Sequence, residues 1–498
     1  MPTKRKQKKP GKTPGKIARF PHASHATRTS RAHTGANKPH IPQSSASSLG
    51  GSSHFSNRAT HTKNASFAGN ASHKTPKPFP ELLLTRRNLF IGAGVLGGVA
   101  LLGGGVSYAL SAMGEAEEST TPDYLSVPED AVESLTDDYE TFDSYSDYVS
   151  LQQSVKLDYG TLVWADNDTV AACLIPTDKA SPLSTVSVLY LSSGNTSSVL
   201  SAAQGADEGF EILDVRCSTE GLIWVEANIF ESSWRIYTAT LNDGSASNIT
   251  QVDAGDANWD IPSLAAVDKS AFWQVIPSSD GENTDSPSVV RAAQFGSDSY
   301  KEICSSKTAF ATRLTAADEG IVVTPRADSA KVYYQITLIS ADDYSTIDQL
   351  TLPASMSPDI VGYGRSGFSF GFTNIYSYGD GIANLGTYTP ESEVSTYNYQ
   401  NLNWFRFSRS PSASPAWCGE WYVVKSTSSI CGVHFPSKKY FAIDTPSGCD
   451  SYGEYLVSTG TSKYIVGLSQ ISTDDDTDNY SLVRIYQPKD DAIESAFA

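Results

Sequence analysis

Histidine is almost absent from the part of this sequence that has the composition of a folded protein. Seven of the eight histidines precede residue 85, and His434 is the only one that follows. Ser-His and Cys-His catalytic pairs, and metal sites built on two or more histidines, therefore lack the side chains they need. We expect no histidine-based catalytic residue, no metal site and no cofactor, and we interpret His434 as an ordinary turn or strand residue.

Acidic residues are nearly missing from the beginning of the chain. Residues 1–89 contain 17 of the 37 Lys and Arg residues but only one acid, Glu81, whereas the remainder contains 20 basic and 54 acidic residues. Residues 1–84 also have almost no apolar periodicity, so they cannot bury a core, and we predict a disordered basic tail. The net charge of −34 in the remainder disfavours nucleic acid as a partner.

A long uncharged run joins these two parts. From Leu89 to Met113 there are 25 residues without a charge, which as a helix would exceed the roughly 30 Å hydrocarbon core of a membrane. Cytoplasmic flanks of membrane spans are enriched in Lys and Arg. We therefore predict one membrane span within residues 85–113, a cytoplasmic tail of residues 1–84, and an extracytoplasmic remainder held at the cell membrane.

The start of this run resembles a twin-arginine export signal. Arg86 and Arg87 follow a threonine and precede one polar and two hydrophobic residues, although Ile91 stands where such signals usually have lysine. The resemblance implies export of an already folded domain, with the twin-arginine export machinery as a partner. An ordinary anchor that happens to follow two arginines is the alternative. Cleavage near residues 109–111 is left open, and a retained anchor is favoured.

Amphipathic helical stretches are missing from the rest of the chain. Residues 114–150 are acidic and rich in Ser, Thr and Tyr, which predicts a solvated linker with one short helix near residues 128–136. From residue 151 to 490, short runs of Val, Ile, Tyr, Trp and Phe alternate with polar turns. This pattern predicts an all-β domain.

The β segment repeats. A short apolar strand, a tight polar turn and a second apolar strand recur about every 49 residues, and the first residue after each turn marks the unit: Val170, Leu222, Ala271, Ile321, Phe368, Trp421 and Tyr464. Four antiparallel strands per unit of this length are typical of a β-propeller blade. We predict seven four-stranded blades, with six or eight as alternatives.

The chain ends support closure of the ring. The last unit lacks a fourth strand, whereas the strand-like residues 154–160 precede the first unit. We expect this N-terminal strand to complete the last blade and so remove two open sheet edges. The periodicity over residues 155–487 resembles that of the TolB-like propellers of exported bacterial proteins. This resemblance implies a fold and leaves the function open.

Three motifs are interpreted as structural. Residues 367–371, Gly-Phe-Ser-Phe-Gly, match a nucleophile elbow, but the alternating phenylalanines predict one continuous strand. Asp474, Asp476 and Asp478 begin like a calcium loop that then breaks, so a hairpin turn is expected. The six cysteines permit disulfides in an exported domain, with Cys418, Cys431 and Cys449 close enough along the chain for one short loop, although buried thiols are the alternative.

One segment concentrates aromatic side chains beside amides, which suits sugar stacking or a protein-binding hot spot. The candidate ligand-binding residues are Tyr376, Tyr378, Tyr397, Tyr399 and Trp404. We therefore predict a membrane-tethered extracytoplasmic propeller that binds an envelope protein or glycan. The alternative is an enzyme that uses a pair of carboxylates on an envelope polysaccharide, since 54 acidic residues supply candidates.

Overall fold

The computed structural model describes the chain from residue 132 to residue 489 with gaps. The described ranges are 132–134, 138–141, 144–327, 332–354, 356–365, 367–372, 384–388, 402–406, 413–426, 428–473 and 478–489. The predicted tail and the predicted span, with Arg86 and Arg87, lie outside these ranges. Within them, no helix is long and apolar enough to cross a membrane.

The described chain is an all-β propeller. Its strands form seven sheets, which we number in chain order, and consecutive strands within each sheet pair antiparallel. Sheet 1 contains β4 (Leu162–Trp164), β5 (Val170–Pro176), β6 (Ser184–Tyr190) and β7 (Thr196–Leu200). Sheet 2 contains β8 (Glu211–Cys217), β9 (Gly221–Asn228), β10 (Ser233–Asn242) and β11 (Ser245–Gly255).

The next three sheets continue the pattern. Sheet 3 contains β12 (Leu264–Val267), β13 (Ser270–Val275), β14 (Ser288–Gln294) and β15 (Lys301–Ser306). Sheet 4 contains β16 (Thr315–Ala317), β17 (Gly320–Val323), β18 (Tyr334–Ser340) and β19 (Thr346–Leu352). Sheet 5 contains β20 (Pro358–Gly364), β21 (Gly367–Phe372), β22 (Asn384–Tyr388) and β23 (Leu402–Arg406).

The last two sheets lie beside the chain ends. Sheet 6 contains β24 (Ala416–Cys418), β25 (Trp421–Ser426), β26 (Ser429–His434) and β27 (Lys439–Ala442). Sheet 7 contains β28 (Tyr455–Leu456), β30 (Ile465–Ile471), β31 (Tyr480–Pro488) and, from the other end of the domain, β3 (Val149–Asp158).

Seven buried apolar clusters fill the spaces between neighbouring sheets. Six of them draw buried residues from two adjacent sheets, and in the seventh the partly buried Ile360 of sheet 5 packs against buried residues of sheet 6. One cluster joins Val163 and Cys173 of sheet 1 to Val466 and Val483 of sheet 7. A middle strand has one of these clusters on each of its faces, and β9 is accordingly buried at all eight positions. The clusters therefore close the sheets into a ring.

The predicted N-terminal latch is confirmed. Strand β3 pairs antiparallel with β31 from Val149 opposite Pro488 to Asp158 opposite Tyr480, and it is the fourth strand of sheet 7. The latch begins earlier than the sequence suggested, at Val149 rather than residue 154. Pairing of this strand with β31 closes the ring through backbone hydrogen bonds and covers the edge of β31.

Each of the seven sheets contains the four antiparallel strands that were predicted, and two of the sheets gain further strands. Sheet 5 gains β1 (Val132–Ser134), parallel to β23, and sheet 6 gains β2 (Glu140–Thr141), parallel to β27. Sheet 6 also pairs with β29 (Gly460–Thr461). Residues 132–134 thus form a strand where a short helix was expected, because exposed backbone groups of an outer strand can pair with an extended segment of almost any composition.

The two ends of the ring differ in their loops. Because consecutive strands of a sheet are antiparallel, the turns between its first and second strands and between its third and fourth strands lie at one end of the ring, which we call the proximal end. The turns between second and third strands, and the connections from one sheet to the next, lie at the other end, which we call the distal end. Strands β1 and β2 run parallel to fourth strands, so Val132 lies at the proximal end. The first described strand, β1, therefore begins at the proximal end.

Candidate functional site

The inner strand of sheet 7 does not end with its sheet but continues across the ring. Residues 458–462, which we call the crossing segment, first pair with sheet 1, where Ser458 bridges Ala165 and the Thr459 N–H donates to the Ala165 carbonyl at 3.3 Å. Gly460 and Thr461 then form β29, which pairs in parallel with Ala416 and Trp417 of sheet 6.

The same segment reaches the opposite side of the ring. The Thr461 N–H donates a 2.7 Å hydrogen bond to Oδ1 of Asp318, in the first turn of sheet 4. Sheets 4 and 7 are separated by two other sheets in one direction around the ring and by three in the other. A contact between them must therefore pass over the central axis, so the crossing segment covers the channel near its proximal end.

Gly460 is required by this path. Its φ is +63°, and a Cβ built there would lie 2.8 Å from Asp318 Oδ1 and 3.2 Å from Ala317 Cα. Any side chain would thus meet both left-handed strain and a close backbone neighbour. Ser458 and Ser462 are almost fully buried, so the segment is packed into the ring rather than lying over its surface.

A charged cluster lies where the crossing segment meets sheets 1 and 2. Arg216, on the inner strand β8, forms an ion pair with Asp214 and lies 3.5 Å from Oδ2 of Asp166, which follows the inner strand β4. The guanidinium also stacks 4.3 Å from the ring of Trp164. Thr459 of the crossing segment lies within 3.4 Å of the other Asp166 oxygen. One arginine therefore joins two carboxylates beside the covered channel.

Burial changes the acidity of Asp166. Its side chain is 7% exposed, and desolvation raises its pKa from 3.8 to about 6, opposed by Arg216 and assisted by the negative charge of Asp214. A carboxyl with such a pKa titrates close to neutral pH. The cluster can therefore hold or release one proton near pH 6, in a place where water has little access.

The only histidine of the folded part also has polar partners. His434 is buried, its Nδ1 lies 2.8 Å from Ser437 Oγ, and its Nε2 lies 3.4 Å from Oε2 of Glu420. Arg365 donates to the other Glu420 oxygen. Ser437 lies three residues after His434, in the turn between β26 and β27, so its contact is a local turn contact. The sequence did not indicate this chain of polar side chains, because its members come from two sheets.

The predicted aromatic site falls mostly outside the described residues. Tyr376 and Tyr378 lie between β21 and β22 in the sequence, Tyr397 and Tyr399 lie between β22 and β23, and all four are outside the described ranges. Trp404 lies in β23, where its backbone pairs with Gly386 and Val132. These five residues stay a prediction.

The other sequence motifs lie in strands of the propeller or in the connections between them. Residues 367–371 lie in the single strand β21, with Ser369 buried, as expected for a strand and not for a nucleophile elbow. Asp474 and Asp476 lie outside the described residues, in the connection between the paired strands β30 and β31. Within the described part of the chain, no group of three or more His, Cys, Asp or Glu residues could hold a metal ion.

All six cysteines are free thiols in the structure. The short-loop disulfide considered for Cys418, Cys431 and Cys449 is therefore not formed. Desolvation raises the pKa of Cys173 and of Cys431 to about 12, which keeps both thiols protonated and unreactive.

Asp166 and Arg216 were not identified as site residues from the sequence. Each sits in a repeat that was recognised, within the stretches Trp-Ala-Asp-Asn-Asp and Leu-Asp-Val-Arg-Cys. The available signal was a charged residue flanked by apolar strand residues, which indicates a buried charge in need of a partner. The identity of that partner depends on ring packing and could not be read from either stretch alone.

No protein-family model matches the chain, and no curated protein matches it. Solved structures similar to it include the β-propeller domain of the trilobed protease from Pyrococcus furiosus, at 10% identity and a TM-score of 0.40, over 68% of this chain and 97% of that one. TolB from Acinetobacter baumannii is 12% identical with a TM-score of 0.32, over 65% and 64% of the two chains.

A prolyl endopeptidase is 9% identical with a TM-score of 0.44, over 67% of this chain and 47% of its own, so this chain spans about half of that protein. These similarities concern the fold alone, and no activity is carried over from them. By its own sheets, the described chain is a β-propeller.

Proposed function

We propose that this protein is a membrane-tethered, extracytoplasmic seven-bladed propeller that acts as a binding module for a protein or glycan of the cell envelope. The crossing segment is the observation that carries the proposal. It covers the channel at the proximal end and hydrogen-bonds to sheets 1, 4 and 6. A ligand pocket in the channel would need an open cavity with convergent polar groups. Because the crossing segment covers the channel at the proximal end, we assign binding to the surfaces of the loops.

The paired charges support the same proposal. Each carboxylate of the channel cluster interacts with Arg216, and the buried Glu454 of sheet 7 is held by Arg484. Charges that are paired and desolvated in this way stabilise a particular packing arrangement and are not free to act on a substrate. A binding module requires a rigid ring, and two of these pairs, Arg216 with Asp166 and Arg484 with Glu454, join segments that are far apart in the sequence.

The membrane location rests on the sequence. The basic tail, the uncharged run and the two arginines at its start favour a single N-in span and twin-arginine export. The start of β1 at the proximal end is compatible with a tether there. Retention of the span keeps the propeller at the outer surface of the membrane.

Replacement of both arginines by lysine tests this location. In the full chain with a C-terminal reporter that is active only outside the cytoplasm, Arg86→Lys with Arg87→Lys should abolish reporter activity. The matched control, Arg28→Lys with Arg31→Lys in the tail, should leave it unchanged. Equal, high reporter activity in all three proteins would rule out twin-arginine export, and an expressed but inactive reporter in all three would rule out the location itself.

The carboxylate enzyme remains a second candidate because of one observation, the raised pKa of Asp166 beside Asp214. Two carboxyl groups whose environments differ are the usual acid and base of glycoside hydrolysis. Arg216 lies between them, however, and both side chains are largely buried. Release of reducing ends from isolated envelope polysaccharide by the wild type, but not by Asp166→Asn, would establish the enzyme and displace the binding module.

A further inference from the structure

The distal end of sheet 2 presents apolar side chains to solvent. Phe230 is 95% exposed and its neighbour Ile229 is 55% exposed, both in the turn between β9 and β10. Ile261, 51% exposed, lies in the connection from sheet 2 to sheet 3, at the same end of the ring. An aromatic ring held almost entirely in water has no role in the packing of its own domain.

The turn that carries Phe230 is held in place by the domain. Oδ1 of Asn228 accepts hydrogen bonds from the N–H groups of Phe230 at 3.1 Å and Glu231 at 3.3 Å. Its Nδ2 donates to the Glu208 carbonyl at 3.0 Å, which ties the turn to the connection between sheets 1 and 2. Asn228 itself is 6% exposed. The apolar side chains are therefore presented from a fixed support.

The loops around this turn are uniformly acidic. Residues 201–210, 229–232, 256–263 and 276–287 contain no Lys, Arg or His, and their acidic residues are Asp207, Glu208, Glu231, Asp256, Asp260, Asp280, Glu282 and Asp285. Among the described ion pairs, only Glu208 of these eight has a basic partner, Arg235. Seven of the eight carboxylates are thus available to charges from outside the domain.

These loops are contiguous. Trp234, beside the turn, pairs with Gly255, which directly precedes residues 256–263. Asn258 in that loop accepts hydrogen bonds from the N–H groups of Ser278 and Glu282, which places residues 276–287 beside it. The turn and its apolar side chains therefore lie within one acidic surface formed by these four distal connections, which we call the distal acidic surface.

We propose that the distal acidic surface docks a cationic polypeptide, with Phe230 packing among apolar side chains of the partner and the surrounding carboxylates pairing with its Lys and Arg residues. Charge complementarity identifies the partner, because the surface repels anionic glycans, nucleic acid and anionic lipid headgroups. Exposed aromatic anchors within a charged rim are the usual arrangement of a protein-binding surface. The chain's own basic tail is excluded as partner if the predicted span separates it from the domain.

This inference rests on the proposed binding function and specifies its partner. Two synthetic peptides serve as probes, one repeating Lys-Lys-Leu and one repeating Lys-Lys-Ser, with binding to the full chain in neutral-lipid nanodiscs measured by fluorescence anisotropy against empty nanodiscs. The Lys-Lys-Leu peptide should bind about tenfold more tightly than the Lys-Lys-Ser peptide. High salt should weaken both.

Three variants give the decisive readout. Phe230→Ala should weaken the Lys-Lys-Leu peptide about fivefold or more and leave the Lys-Lys-Ser peptide unchanged. Glu282→Gln with Asp285→Asn, both exposed, should weaken both peptides. The charge-matched control at the proximal end, Asp298→Asn with Glu319→Gln, also exposed, should weaken neither.

Unchanged binding in the Phe230 and Glu282 variants, or an equal loss in the control, would overturn the docking surface. That result would leave the location untouched, since the reporter experiment with Arg86 and Arg87 tests it separately. Conversely, a cytoplasmic reporter with intact peptide binding would overturn the location and keep the surface.

Discussion

The backbone N–H of Thr461, in the last sheet of the ring, donates a 2.7 Å hydrogen bond to the carboxylate of Asp318, in the fourth sheet. The two sheets that this hydrogen bond joins are not neighbours, so the contact spans the axis of the propeller. A hydrogen bond from a peptide N–H to a carboxylate is charge-assisted and is stronger than one between neutral groups. It fixes the crossing segment over the channel.

Substitution of Gly460 should destabilise the domain more than that of a comparable glycine. Gly460→Ala introduces a Cβ that would lie 2.8 Å from the Asp318 carboxylate at a φ of +63°. We expect a loss of about 2–4 kcal/mol in the free energy of unfolding, from left-handed strain together with a steric clash. Denaturant unfolding of purified protein measures this loss.

Gly419 provides the control. It has a similar φ of +59°, but a Cβ there would meet no atom within 4 Å. Gly419→Ala should therefore cost only the strain, about 1 kcal/mol. Equal losses in the two variants would mean that the crossing segment does not pack against sheet 4 as described.

Titration of Asp166 should make stability fall as pH rises through weakly acidic values. Its pKa is about 6 in the folded protein and 3.8 by the ordinary value of the side chain, so the folded state binds the proton more tightly than the unfolded state. The contribution of Asp166 is then most favourable below about pH 4 and is lost as pH rises to about 6, by up to about 3 kcal/mol.

Asp166→Asn isolates this contribution from other titrating groups. The difference in unfolding free energy, variant minus wild type, should increase by up to about 3 kcal/mol between about pH 4 and pH 7. Denaturant unfolding of both proteins at each pH gives that difference. A difference that is constant with pH would show that Asp166 is not desolvated beside Arg216 and Asp214.

Two ion pairs of similar geometry should differ strongly in their contribution to stability. Arg484 binds both oxygens of the fully buried Glu454 at 2.8 and 2.5 Å, whereas Arg235 binds both oxygens of Glu208, whose side chain is 61% exposed. Glu454→Gln should cost about 3–5 kcal/mol because it leaves a buried arginine without its counter-charge.

The exposed pair is the comparison for this prediction. Glu208→Gln should lower the free energy of unfolding far less than Glu454→Gln, because water screens the charges of that pair. Added salt should reduce the small effect at Glu208 and barely change the large one at Glu454. A small, salt-sensitive loss at Glu454 would contradict its burial between sheets 6 and 7.

Removal of the N-terminal latch should open the ring. A chain that begins at residue 159 lacks β3 and exposes the edge of β31, whereas one that begins at residue 144 keeps the pairing of Val149 with Pro488. We expect the shorter chain to melt about 10 °C or more below the longer one, or to aggregate through its free edge. Coincident melting curves would show that β3 does not close the ring.

Local sequence patterns accounted for most of the fold. The alternation of apolar and polar residues located the inner hairpins, and the missing fourth strand of the last unit led to the latch at β3. The alternation is visible within a short stretch of sequence, and the missing strand is found by counting the strands of each unit. By contrast, β1 and β2 pair through backbone groups, which leave little trace in composition.

The candidate site was much less predictable. Residues 458–462 look like an ordinary polar turn within a repeat, and their course depends on where Asp318, about 140 residues earlier, is placed by ring closure. Likewise, Asp166 and Arg216 lie in different repeats and meet only when sheets 1 and 2 pack. Aromatic density, which did stand out in the sequence, drew attention to residues 376–404 rather than to the isolated Phe230.

Photo-crosslinking in living cells tests the central claim most directly. The full chain would be expressed with a photoreactive phenylalanine analogue at position 230 or, as control, at Ile347, which is 43% exposed on the outer strand β19. An envelope-facing binding module predicts a discrete polypeptide adduct in the membrane fraction from position 230 and none from position 347. No adduct at position 230, or the same adducts from both positions, would contradict it.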